Sequence, residues 1–369
     1  MKTVSHYLPL LALSLCLGAC GETPSGYYDP SRIHGAPIRH QEILSDPYAV
    51  DDLFRSMEGP SSRRQLPLYE VETPELLWIT GYRAEIVDQE GVNSMPQEFM
   101  CHSNLDFDVD RHSEIFGGEK TTSNRLFTLS QGQFSIEFPV GFGIPILSSE
   151  TLSLSTQVLN LNIDDADLVV RHKITIDFVR DQELDTPMKP LFLKSANGLV
   201  SLEEDVGYYD VAEPDALKHG PGCLVGQAAS GHVRTDDFDR KFAGHWVVKP
   251  GREVNRTLVT EWMNMQFDTT VHYIAVHLHP FAESLELVDL TTGETVFKSK
   301  ARNFDDKIGL EEVEFFSSEE GLPIYEDHEY ELVSTYFNTT DVDQDSMAVI
   351  FMYVMDPEFV KPDLSRLSD

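Results

Sequence analysis

Basic residues are scarce: 28 Lys and Arg stand against 62 Asp and Glu, a formal charge of −34 over 369 residues. A surface of that sign repels a phosphate backbone, so nucleic acid is excluded as a partner. Cysteine is scarcer, with four in the chain. No apolar run is long enough to cross a bilayer, since Tyr7 to Leu17 falls short of the ~20 residues a helical span needs. GxGxxG, Walker and GxSxG patterns, short-period repeats, low-complexity tracts and amphipathic helices of four or more turns are all missing. Those gaps remove the common nucleotide-binding and hydrolase signatures and leave a chain built from something other than helices.

What is present begins with Lys2 ahead of that short apolar run, the layout of a signal peptide. The run closes on Leu17-Gly18-Ala19-Cys20, which resembles the bacterial lipobox. That resemblance implies cleavage after residue 19, lipidation at Cys20 and attachment to a membrane through the lipid. Gly21 in place of an Asp argues against inner-membrane retention. The expected location is the bacterial cell envelope, at the periplasmic face of the outer membrane or the cell surface. Cys16 leaves with the leader, so the folded part keeps Cys101 and Cys223, a disulfide pair only if the fold brings them within bonding geometry.

Residues 20–66 are rich in Pro, Gly, Ser and Asp and read as a lipidated N-terminus and tether, with one short helical candidate around Asp51 to Met57. From Leu77 the pattern turns to short β-branched and apolar runs cut by turns: Leu77 to Thr80, Phe134 to Phe138 and Lys173 to Val179. A second set comprises Thr257 to Met263, His272 to His279, Leu285 to Leu290, Thr295 to Lys298, Tyr330 to Tyr336 and Ala348 to Met355. The expected fold is all-β, two antiparallel β-sandwich (jelly-roll-like) domains in tandem over 67–194 and 241–358. Residues 195–240, with His219, Cys223 and His232, form a linker or insertion between them, and 359–369 a tail.

The richest segment for chemistry is Val271 to Pro280. Residues two apart on a strand share a face, so His277 and His279 point the same way and could bind one metal ion. The plainer reading is an exposed His-x-His making ordinary hydrogen bonds.

Pro250-Gly251-Arg252, His277-Leu278-His279, the hairpin after it and Asp345-Ser346-Met347 occur in that order. Together they resemble the C-terminal domain of the copper type II, ascorbate-dependent monooxygenases, the family of peptidylglycine α-hydroxylating monooxygenase and dopamine β-monooxygenase. The resemblance covers roughly Phe242 to Asp356 and implies a catalytic copper held by His277, His279 and Met347. Two imidazoles accept either oxidation state of copper, and a thioether favours the reduced one. Met347 as a core gap-filler is the competing reading. A fainter likeness over Leu77 to Pro190 places His102, beside Cys101, where the family's second copper has adjacent histidines; only one of them is kept here. His112 and His172 are more readily structural than replacement ligands, and His245 and His272 stand as second-tier candidates for a ligand or an outer hydrogen bond.

The resemblance implies a copper- and oxygen-dependent oxidoreductase with an external electron donor and an unidentified small-molecule or peptide substrate. The alternatives are a non-catalytic copper carrier, buffer or sensor, or a scaffold with its second copper site lost. The acidic run Asp341 to Asp345 lacks the Gly and closing Glu of a calcium loop and reads as a solvated loop.

Overall fold

A strand buried on one face alternates in sequence, as Leu168–Arg180 does: Val170, Ile174, Ile176 and Phe178 are in the core, while Arg171, Lys173 and Thr175 are half-exposed. The computed structural model describes residues 29–364 except 57, 118–122, 165, 202–232, 236–238 and 240. It divides the chain into Met1–Ser31 and Arg32–Asp369. In the first unit Asp29 accepts hydrogen bonds from the backbone and hydroxyl of Ser31; the second carries every described strand.

The fold is all-β, as the patterning predicts. An 11-stranded sheet runs through the second unit. In order across it lie Phe316–Ile324, Thr269–Leu278, Gln344–Met355, Lys189–Asn197, Phe142–Leu147, Leu76–Asp88, Leu168–Arg180 and Arg39–Leu44. A four-stranded sheet, Ser61–Pro67, Thr151–Val158, Met100–Asp106 and Arg125–Leu129, covers one stretch of it. Leu66, Leu105, Phe127 and Leu154 from this sheet meet Ile79, Tyr82, Ile146 and Ile176 in the first core. A five-stranded sheet built on Gly251–Leu258, Tyr330–Asn338 and Ala282–Asp289 covers the other stretch. There Leu285, Leu287, Leu332 and Tyr336 meet Ile274, Val276, Ile350 and Met352 in the second core.

The two sandwiches share a wall. Along Gln344–Met355, Val349, Phe351 and Tyr353 enter the first core, while Ala348, Ile350, Met352 and Val354 enter the second. A strand buried on both faces loses its alternation, hence the unbroken apolar run from Ala348 to Met355.

Several segments differ from expectation. Part of the expected tether is strand: Arg39–Leu44 pairs with Leu168–Arg180 and Ser61–Pro67 with Thr151–Val158. Both lie at sheet edges, where one or two buried residues such as Ile43 and Leu66 suffice and charged neighbours face water, so their composition resembles a linker. The described residues of the helical candidate at Asp51 to Met57, 51–56, are instead irregular, with Phe54 bridged to Asn160. The strand expected from Thr257 to Met263 ends at Leu258 and gives way to the helical turn Thr260–Met263, which Asn264 closes in the left-handed region at φ 44. Within 195–240 the described residues include Val200–Ser201 and Val233–Thr235, both paired with Lys241–Ala243.

Candidate functional site

Three stretches of chain converge where the sandwiches meet. The Thr269–Leu278 strand delivers His277 and, just past its end, His279. The start of Gln344–Met355 delivers Asp345 and Met347 on the face that continues as Val349. His245–Val248 lies beside it in register, His245 opposite Met347 and Val247 opposite Asp345. From the first sandwich come Ser130 and Gln131 in a turn, Cys101 and His102 on Met100–Asp106, and Arg55 and Ser56 after the Phe54 bridge.

The turn clasps the two halves. Ser130 and Gln133 exchange backbone hydrogen bonds around Gly132, whose φ is +82°. Ser130 Oγ lies 2.9 Å from His277 Nδ1, Gln133 Oε1 accepts from the Val276 N–H, and Gln133 Nε2 donates to the Tyr273 hydroxyl. A Cβ at position 132 would come within 2.7 Å of Val313 Cγ2, so glycine is required by conformation and by space.

His277 and His279 rings stand nearly perpendicular at 88°, with centroids 5.3 Å apart, and the His245 and His279 centroids are 5.9 Å apart. His245 Nε2 lies 3.0 Å from Met347 Sδ. A thioether can only accept, so the His245 proton sits on that nitrogen. The Tyr336 hydroxyl accepts from the His279 N–H and donates to the Met347 carbonyl, tying the two strands together.

His279 has a partner on each side of its ring. Nε2 lies 3.3 Å from Ser56 Oγ, and Nδ1 lies 2.9 Å from Asp345 Oδ2. Nδ1 and both Asp345 oxygens are buried, and the carboxylate is held by hydrogen bonds from His279 and Ser56. Burial pushes the Asp345 carboxyl up, yet the neighbouring His279, then His245 and Ser56, hold it below the ordinary carboxylate range. It is therefore a carboxylate, a pure acceptor.

Two nearby imidazoles, His277 and His102, are kept neutral. Burial, reinforced by His279, His102 and His245, pushes His277 well below the ordinary histidine value. His102 is pushed down to about 3 by burial, then by Arg125 and by His172, His279 and His245.

These groups border a cleft of about 210 Å³. Leu53, Leu159, Leu161, Phe281, Ile308 and Val342 give it apolar walls, and Ser56, His277, His279 and Asp345 a polar floor.

His277, His279, Met347 and His102 thus occupy one neighbourhood. Among the described residues no group of three or more His, Cys, Asp or Glu side chains is placed to hold a metal ion. The Met347 sulfur meets His245, which sequence reasoning ranked lower, and its side chain packs on the first core. His272 turns away to stack on Phe142 and contact Thr270. His112 pairs with Glu150, and His172 is fully buried against Tyr48. Cys101 is buried at the cleft wall; Cys20 and Cys223 lie outside the described residues.

Sequence reasoning missed Asp345, grouped with a solvated loop, and Ser56. Asp345 was within reach: it shares strand parity with Met347 and Val349, which places it on the inward face. Ser56 carries no such signal.

No family model matches the chain, and no curated protein does. Among solved structures, the major capsid protein P2 from bacteriophage PM2 matches 86% of this chain over 100% of its own, at 10% identity and a TM-score of 0.30. The STIV MCP matches 90% of this chain over 99% of its own, at 10% identity and a TM-score of 0.31. The ANXUR2 extracellular domain from Arabidopsis thaliana matches 86% over 97%, at 7% identity and a TM-score of 0.20. Likenesses this weak carry no argument about what the chain does.

The expected kinship is corrected accordingly. No family model supports the copper type II monooxygenases, and the matching structures named are capsid proteins and a plant extracellular domain. With that kinship go the copper-dependent oxidoreductase, the copper carrier and the external electron donor, which rested on it. The lipid-anchored envelope placement and its membrane partner find no support in these comparisons, which name capsid proteins and a plant extracellular domain, and Cys20 lies outside the described residues.

Proposed function

We propose that the protein binds a small, mostly apolar molecule in the cleft between the sandwiches, with one polar group of that molecule turned to the floor. The observation that carries this reading is the pairing of apolar walls with a small convergent set of polar side chains, Ser56, His277, His279 and Asp345. Concave sites with apolar linings and a few convergent polar groups are the usual form of small-molecule sites.

Ligand-observed NMR on the full chain with short-chain ketones and amides of about four to eight carbons tests it. Binding to the wild type is expected, with a loss of at least about tenfold in Ile308→Glu and Val342→Glu, because each sets an unpaired charge on the apolar wall. Failure of every compound to bind, or binding unchanged in both variants, overturns the reading.

A further inference from the structure

Ser56, His279 and Asp345 touch one another: the Ser56 hydroxyl lies 3.3 Å from His279 Nε2, His279 Nδ1 lies 2.9 Å from the Asp345 carboxylate, and Ser56 also reaches that carboxylate. The chemistry of each position is the one a nucleophilic relay needs. A carboxylate beside Nδ1 favours the tautomer with its proton there, which leaves Nε2 bare to accept the Ser56 hydroxyl proton. Asp345 is nearly closed off from solvent, at 10% side-chain exposure, and stays ionised, so it can orient the ring and balance an imidazolium. Ser56 borders the cleft, and Arg55 beside it supplies a positive group to the same wall. A contact as long as the 3.3 Å from Ser56 to His279 tightens when a substrate closes the site.

We propose that Ser56 is a nucleophile and that the cleft hydrolyses small esters, a reading that rests on the cleft being a ligand site. The Ser56 oxygen adds to the ester carbonyl carbon while its proton passes to His279 Nε2. Arg55 faces the negative charge that forms on the carbonyl oxygen. Collapse breaks the bond to the alkoxy group, which leaves as the alcohol with the proton from His279, and Ser56 keeps the acyl group. Water then adds to the acyl-serine, giving its proton to His279. The acid departs, the proton returns to Ser56, and the sum is ester plus water to acid plus alcohol. His279 is the catalytic base and Asp345 a positioning residue.

The test treats the full chain with an alkyl fluorophosphonate and with p-nitrophenyl butyrate, and locates any adduct by peptide mass spectrometry. A stoichiometric adduct on Ser56 is expected, absent in Ser56→Ala and slowed roughly a hundredfold or more in His279→Gln. Asp345→Asn should lower kcat for the butyrate ester by more than it changes KM, and Asp345→Glu should restore part of kcat; a merely structural carboxylate would lower stability without that split. Ketone binding without any Ser56 adduct overturns this proposal and leaves the binding cleft standing. An adduct on another residue, or one unchanged in Ser56→Ala, overturns it as well. Failure of both binding and labelling removes the cleft reading too.

Discussion

His245 and Met347 face each other across paired strands, ring nitrogen to sulfur at 3.0 Å, and this contact takes the thioether that sequence alone assigns to a metal. Met347→Leu keeps the volume and removes the acceptor of a buried N–H. A loss of about 1–2 kcal/mol in urea unfolding is expected, more than a Leu-for-Met exchange costs by shape alone.

Tyr336 joins the two strands that frame the cleft, accepting from the His279 amide and donating to the Met347 carbonyl. Tyr336→Phe leaves both groups unanswered. We expect a cost of about 1–3 kcal/mol by chemical denaturation, and faster hydrogen exchange at the His279 amide than at Val276.

Gly132→Ala forces a side chain into φ +82° and against Val313. The strain is expected to cost about 1–3 kcal/mol. Because the same turn holds His277 and the Val276 amide, a crystal structure of the variant should show the Ser130 to His277 contact lengthened. An unchanged contact and stability would show the clasp to be dispensable.

His172 gives a pH dependence whose sign follows from its burial. Its folded value is pushed down to about 3 by burial, against about 6.5 when exposed, so between those values the unfolded chain binds the extra proton. Its share of stability is whole above pH 6.5 and is lost as pH falls through that window, at about 1.4 kcal/mol per pH unit. Urea midpoints for His172→Phe between pH 7 and 4 should fall less steeply than wild type by about that slope. An identical slope would place the proton uptake elsewhere.

Strand content was legible wherever one face is buried, as in Lys173 to Val179, because a two-residue period is a direct print of burial. Edge strands were not, since Arg39–Leu44 needs only Ile43 inside and otherwise looks like a charged linker. At the site, the shared face of His277 and His279 followed from strand parity, whereas their partners did not. Ser130, Asp345 and Ser56 lie 147, 66 and 223 residues from the imidazoles they touch, and pairings over such separations are set by sheet order rather than by local sequence.

The wall that both cores share is also the last strand in chain order. During synthesis, then, neither half can seal its interior until residues near 355 have emerged from the ribosome. Up to that moment Leu193, Ile274 and their neighbours have a vacant side, a period in which chaperones rather than native contacts would have to guard them.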